Sequence, residues 1–338
     1  MAFTNALSTT TQDKLAPYVV DTILGSNVFA TRALGAAKKW IGDPIRFPVK
    51  ISKNSTGGSF SGFDLLPTNA TNNRILLSYS PKFYQITVAL RLDEVSVNNT
   101  DAKIIELAGL ELQSAAHDMA DDVGTLFYSD GTGNSSKDFL GLGVVDDGTN
   151  VATIGGQSRS TYSTLQSTLT ASGGTLTLAL MQTLYSNVSS GGQKVDLGLA
   201  PEAVVNLFEQ LLNPQERISK EVSAMRNGGV GGTGFLGHFF KGFPIFADEK
   251  ATAQNLYFLR EEFINFYALP FAGTNPVNFK SVDIRGNDYS SVKGLGFSWS
   301  DWILPSNQAA WVSHLYLGGE LVFENPKRAG RLTGITGV

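Results

Sequence analysis

Two stretches of this 338-residue chain alternate residue by residue, and a third, just beyond them, repeats at helical spacing. That succession constrains the fold more than anything else in the sequence. From Ile45 to Ser52 the odd positions are Ile45, Phe47, Val49 and Ile51, and the even ones Arg46, Pro48, Lys50 and Ser52. From Tyr84 to Leu92 the apolar set is Tyr84, Ile86, Val88, Leu90 and Leu92, set against Gln85, Thr87, Ala89 and Arg91. A period of two means strands with one buried face. Pro48 has no N–H to offer a ladder, which places the first strand at an edge. Lys53 to Asn73 is dense in Gly, Ser, Thr and Asn and reads as a loop tip, so residues 45–93 are predicted to form one long hairpin. Such a hairpin is marginal alone in water and needs a third surface, from this chain or from another.

The helical signal follows at once. Asn99, Thr100 and Asp101 are N-cap candidates, and Ile105, Ala108, Leu112, Ala115, Met119, Val123 and Leu126 then form one apolar stripe. A helix from Asp101 to about Tyr128 would span roughly 42 Å at 1.5 Å per residue, more than twice the average helix. Ser129-Asp130-Gly131 is its stop signal.

Composition bounds the function. With 42% hydrophobic and 17% charged residues the chain can bury a core and is not globally disordered. A formal net charge of −4 argues against a dedicated nucleic-acid binder, while leaving loose containment of nucleic acid open. The absence of cysteine excludes disulfides, thiolate ligands and a thiol nucleophile. The first residues lack the basic and apolar regions of a signal peptide, and no apolar run approaches the ~18 residues of a membrane span. A soluble protein made in a cytoplasm is the expectation.

Residues 1–44 hold short apolar clusters, Tyr18 to Leu24 and Val28 to Ala33, with a slight basic excess. They read either as a helix or two on the core or as an arm lying across another subunit. Asp130 to Gln157 is punctuated by glycine and reads as turns joining short strands. Helices are predicted at Leu176 to Val188 and from Pro201 to Leu212, with proline at an early helical position. Strands are predicted at Val195 to Ala200, Phe243 to Ala247, Leu256 to Leu259, Phe297 to Ile303, Trp311 to Leu317 and Glu320 to Phe323. Helices and strands mix without regular βαβ alternation, which favours an α+β fold.

Site chemistry is poor. Asn227 to Gly237 reads as a flexible loop; within it Gly228 to Gly234 has the glycine density of a phosphate cradle but lacks the Gly-Lys-Ser/Thr that would complete one. Asp130 to Asp138 has oxygen ligands without calcium-loop spacing. His117 and Asp121 stand at i, i+4 beside Asp118 and Asp122, and this group reads as a solvated acidic face. His238 and His314 lie among apolar residues and read as satisfied core or interface histidines. No catalytic residue, cofactor site or metal site is assigned.

The order of these elements resembles the major capsid proteins of tailed bacteriophages, which share the HK97-type fold. The resemblance rests on the basic arm, the Gly/Ser/Asn-tipped hairpin, the long helix, the DGTG…GLG passage and the segment FLGHFFKGFPIFADE, Phe235 to Glu249. It covers about residues 45–265 and the rest more loosely. It implies an N-terminal arm (1–44), an extended hairpin loop (45–93), and a peripheral domain (94–194) with a spine helix at 101–128, joined by strands from 306–338. An axial domain (195–305) completes the division. It further implies self-assembly into hexamers and pentamers of an icosahedral head around double-stranded DNA, inside a bacterial host. Portal, scaffolding or decoration proteins would be partners; the 44 residues before the hairpin read as too few for a cleaved scaffolding segment, so a separate scaffolding protein or none is expected unless the chain is already mature. Subunit-interface residues would be Phe47, Val49, Lys50, Ile51, Lys53, Phe60, Phe63, Tyr84, Ile86 and Val88. Gly228, Gly229, Gly231 and Gly232 would lie near a capsomer centre. Lys50, Lys53 and nearby asparagines receive no cross-link assignment. The rival readings are an encapsulin-like compartment shell, which shares the fold, and a soluble nucleotide-binding enzyme.

Overall fold

The computed structural model describes residues 27–42, 44–69, 71–97, 111, 115, 118–119, 121–171, 173–212, 237–269, 275–276, 281–282, 288–289 and 297–337. The principal elements begin with helix α1 (Val28–Gly35) and strands β1 (Lys38–Lys39), β2 (Ile45–Lys50), β3 (Arg74–Tyr79) and β4 (Lys82–Arg91). A short helix α2 (Leu92–Val97) follows, then α3, of which the described residues between 111 and 126 are helical. Next come β5 (Thr168–Thr170), α4 (Leu178–Val188), β6 (Leu197–Ala200), α5 (Glu202–Leu212), β7 (Gly237–Phe240), β8 (Phe243–Ala247) and β9 (Leu256–Leu259). The chain ends with β10 (Ile264–Ala268), β11 (Asn275–Pro276), β12 (Phe297–Trp299), β13 (Ala310–Phe323) and β14 (Ala329–Leu332).

Two six-stranded sheets organise them. One runs β1-β10-β13-β12-β11 with β4 also paired to β13, and the other runs β7-β8-β6-β9-β14-β5. Parallel pairs (β1 with β10, β6 with β8, β5 with β14) mix with antiparallel ones, so the fold is α+β.

The long hairpin needs correction. β2 does not pair with the Tyr84 strand; it pairs antiparallel with β3, from Ile45 opposite Tyr79 to Lys50 opposite Arg74. β4 turns away after Ser80-Pro81 and lies along β13, from Lys82 opposite Gly319 to Arg91 opposite Ala310. The physical reason is that alternation fixes which face of a strand is buried and leaves the partner open. Arg74–Tyr79 itself alternates, with Ile75, Leu77 and Tyr79 turned inward, and supplies the nearer partner.

The other elements follow their sequence signals. α3 buries Ala115, Met119 and Val123 and exposes Glu111, Asp118, Asp121 and Asp122, as the stripe requires. The predicted helix start at 101–110 lies outside the described residues. α4 is capped by Thr177, whose hydroxyl accepts from Leu180 N at 3.3 Å. The two predicted C-terminal strands fuse into β13 across Gly318-Gly319. There a Cβ on Gly319 would stand 2.2 Å from the Tyr267 carbonyl oxygen, at φ +150°. The GLG of the sequence packs its backbone on the end of α3: Leu142 N donates to Phe127 O at 2.7 Å and Gly143 N to Ser129 O at 2.9 Å. A Cβ on either Gly141 or Gly143 would come within 2.5 Å of that backbone.

The core has two parts. The larger joins α1, α3, β4, β10 and β13 around Phe127, Phe139 and Phe266, whose rings lie 5.6 to 6.4 Å apart. The smaller lies beneath α4 and α5, where Met181, Leu184, Val204 and Phe208 meet Phe240, Phe243 and Phe258 of the second sheet. Of the two readings for residues 1–44, the described part fits an element packed on its own body. Phe29 N donates to buried Asp248 at 2.9 Å, and Arg32 is paired with Glu261. Residues 1–26 lie outside the described residues.

Candidate assembly surface

The β2–β3 hairpin has two unlike faces. Inward, the Phe47 ring meets Tyr79 edge-on at 6.5 Å and lies tilted 5.6 Å from Tyr267, while Leu77 and Tyr79 are buried. The Tyr79 hydroxyl donates to Phe323 O at 2.9 Å, and burial pushes its acidity well below that of a free phenol. The root of the hairpin is therefore held by its own chain. Outward, Arg46, Pro48, Lys50, Arg74 and Leu76 are exposed, and Lys50 stands directly opposite Arg74. Like charges facing each other across a ladder are unfavourable unless something neutralises them.

Beyond Lys50 the ladder gains one more bond, Ile51 N to Asn73 O at 2.9 Å, and then opens into a loop exposed almost throughout. Its internal ties are local. Asn54 Oδ1 accepts from Thr56 N at 3.1 Å and from the Thr71 hydroxyl at 2.7 Å; Asp64 accepts from Ser61 N at 2.7 Å. On this loop Phe60 is 67% exposed, Phe63 103%, Leu65 99% and Leu66 57%. Four large apolar side chains bare within seven residues form a patch of the kind that marks an interaction site. Leu65 and Leu66 were missed in the sequence because they sit in a polar, glycine-rich loop with no periodicity.

The remaining interface candidates separate cleanly. Lys53 lies exposed on the loop and Ile51 half-buried at its base, and Val49 packs partly against the core. Val88 is 2% exposed within the chain's own core, with Tyr84 and Ile86 packed partly against it. The strand that carries them is paired along its whole length with β13 of the same chain. Tyr84 donates its hydroxyl to Asp122 of α3. Gly228, Gly229, Gly231 and Gly232 lie outside the described residues, as does His117. His238 Nε2 pairs with Glu209 at 2.6 Å, and His314 Nδ1 lies 2.9 Å from the Thr87 hydroxyl; both rings are partly exposed rather than core. Among the described residues no group of three or more His, Asp or Glu is placed to hold a metal, and no helix is long and apolar enough to cross a membrane.

One group that sequence reasoning passed over pins the root of β4. Glu320, 1% exposed on β13, receives Lys82 Nζ at 3.4 Å, Leu140 N at 2.7 Å and Leu321 N at 3.1 Å. Lys82 also donates to the carbonyls of Asp138 and Gly131. Burial raises the Glu320 carboxyl to about 7 despite the opposing pull of Lys82. The signal was present as a lone acid within the apolar run LGGELVF.

No protein-family model matches the sequence, and no curated protein does. Solved structures match over nearly the whole length. The cyanophage A-1(L) capsid asymmetric unit superposes with a TM-score of 0.68 at 15% identity, covering 92% of this chain and 93% of that one. The chain has the HK97-type fold. The capsid of a native GTA particle gives a TM-score of 0.55 at 10% identity over 91% of this chain and 90% of its own. The holo-SrpI encapsulin complex from Synechococcus elongatus gives 0.53 at 12% identity, over 91% and 87%. Identities this low leave the sequence free while the HK97-type fold is kept, so residue roles rest on the geometry of this chain.

Proposed function

We propose that this chain is the major capsid protein of a tailed bacteriophage and that its activity is self-assembly. Copies form hexamers and pentamers of an icosahedral head that encloses double-stranded DNA without reading its sequence. The observation that carries this reading is the end-to-end correspondence with a phage capsid subunit: each chain covers more than nine-tenths of the other. In this reading residues 45–93 contain the extended loop, the helix at 101–128 is the spine of a peripheral domain, and residues 195–305 form most of an axial domain. Phe60, Phe63, Leu65 and Leu66 are bare in the single chain because another copy covers them. Many modest contacts of this sort add up through multivalency, so a closed shell is stable while each interface stays weak enough to correct. The role is structural rather than catalytic, its place is the virion, and its assembly takes place in the host cytoplasm with portal and scaffolding or decoration proteins.

The likeness to an encapsulin favours a second reading, a compartment shell around a protein cargo. Expression of the chain followed by sedimentation and electron microscopy separates the alternatives. Icosahedral heads or capsomers that package DNA when co-expressed with a portal and terminase support the capsid reading. Closed shells that fill with a protein cargo and never with DNA favour the encapsulin. A monomer under every condition, with saturable binding of a nucleotide, overturns both.

A further inference from the structure

The corner where the ribbon meets β4 is tied to two other parts of the chain through one amine. Lys82, the first residue of β4, reaches Glu320 of β13 at 3.4 Å and donates to the carbonyls of Gly131 and Asp138, in the turn that follows α3. Glu320 in turn accepts Leu140 N, from the far side of the same turn, at 2.7 Å. Three elements distant in sequence therefore meet at one buried ion pair. These ties belong to the single subunit and stand whether or not copies assemble.

The turn between them is strained. Asn134, Ser135 and Ser136 run consecutively at φ 49°, 58° and 64°, a left-handed stretch that side chains disfavour. Residues 132–137 are exposed, so no core packing around them enforces this backbone. Their local bonds are few and long: Lys137 N to Asn134 O at 3.4 Å and Asp138 N to Gly133 O at 3.5 Å, beside Ser136 N to Thr132 O at 3.1 Å. A strained conformation persists when its surroundings over-determine it. Here Lys82 and Glu320 grip the two ends of the turn, and the strain between them pulls against that grip.

The grip responds to protons. Around Glu320 stand Lys82, the turn with Asp130, Lys137 and Asp138, Tyr79 of β3, and Tyr267 directly opposite on β10. Hydrogen bonds from Thr132 hold Asp130 below the usual carboxylate range, and burial holds both phenols up, so these three keep one charge state between about pH 5 and 7. Closed, Glu320 keeps its proton up to about 7 because it is buried; opened to water, it would release the proton near the ordinary 4.5. Each pH unit between those values then favours the open form by about tenfold, and outside them the dependence vanishes.

We propose that Lys82, Glu320 and the left-handed turn 131–140 form a proton-operated latch. Closed in acid, it locks the end of α3 to the corner at Ser80-Pro81 where the ribbon joins β4; opening towards neutral pH frees turn and corner together.

Amide hydrogen exchange of the full-length, unassembled subunit from pH 5 to 8 tests this. Protection at residues 131–140 and 82–84 should fall in step, by about tenfold per pH unit up to about 7, and level off above it. It should also lie at least about a hundredfold below that of Tyr257 and Phe258, which sit in the middle of the second sheet and exchange when the whole subunit opens. Glu320→Gln keeps an acceptor for Leu140 N but cannot ionise, and should hold the acid level of protection at every pH. Protection that does not change with pH overturns the latch. So does a turn that exchanges as slowly as Tyr257, since Glu320 would then titrate only with global unfolding. Turn and corner opening independently, or a slope that survives in Glu320→Gln, overturns it as well. If Glu320→Gln does not fold, the three readings on the parent chain decide.

Discussion

β2 and β4 carry the same period-two signature a few tens of residues apart, yet they live in different surroundings. β4 is sewn into a six-stranded sheet: β13 lies along its whole length, Val88 and Leu90 are buried, and the Lys82–Glu320 pair anchors its first residue. β2 belongs to a two-stranded ribbon whose inner face rests on Tyr267 and whose outer face and loop are bare. Stability of the subunit should therefore be concentrated in β4, and association in the ribbon. That division is the physical content of the comparison, and it is breakable by mutation.

The largest separation is expected from removing the loop. Deleting residues 53–73 takes away almost nothing the core uses; apart from the Ile51 N to Asn73 O bond at its base, its ties, such as Asn54 to Thr71, are internal to the loop. The shortened chain should remain folded, with a thermal midpoint close to the parent's, and should fail to form shells in sedimentation. Unfolding of the shortened subunit would show that the loop belongs to the core after all. Leu90→Ala asks the converse question on β4. Leu90 is 1% exposed, so its truncation should cost about 2–5 kcal/mol in urea unfolding. Phe63→Ser on the loop should stay within about 0.5 kcal/mol in the same experiment and instead weaken assembly.

Glu320 gives the anchor of β4 a pH signature. Its folded carboxyl titrates near 7, above the ordinary value of 4.5, so between these the folded state holds the proton more tightly than the unfolded chain. The contribution is therefore fully present below about 4.5 and is lost as pH rises through 7. A gap of about 2.5 units at ~1.4 kcal/mol each amounts to roughly 3 to 4 kcal/mol across that window. Glu320→Gln should remove this slope: unfolding free energies of parent and variant, measured from pH 4 to 8, should differ by an amount that changes with pH in the stated sense. A constant difference would mean that Glu320 titrates normally and that the anchor is a plain ion pair.

The comparison also shows where sequence was informative. Alternation located both strands and the facing of every residue in them, because a one-residue slip would turn Val88 and Leu90 to water. The stripe on α3, the helix after Pro201 and the strands at Phe243–Ala247 and Leu256–Leu259 were legible for the same reason: each buries one face on a nearby element. What stayed hidden was non-local. Nothing in residues 82–91 announces that the partner lies at 310–319, and the Arg74–Tyr79 strand went unassigned between the predicted tip and the Tyr84 strand because only its inner residues are clearly apolar. The bare Leu65 and Leu66 escaped because exposure in a loop has no sequence period, and Glu320 because a single buried acid looks like a surface residue until its Lys82 partner is placed beside it.

The smallest effect predicted is the most specific to the ribbon's geometry. Ile51 N bonds to Asn73 O, and the register then turns the backbone groups of Ile45, Phe47 and Val49 toward β3. The even positions, Pro48 among them, point to the outer edge, where a missing N–H costs nothing within the subunit. Pro48→Val should thus leave stability within about 0.5 kcal/mol and keep the Ile45–Lys50 ladder intact. It would, however, supply the edge with the donor that proline withholds, completing a row of backbone groups open to another strand. The expected outcome is a folded subunit with unchanged urea midpoint and a faster rise of light scattering at high concentration. A loss of more than 1 kcal/mol would mean that position 48 faces β3, and the register of the ribbon, with the cationic face built on it, would have to shift by one.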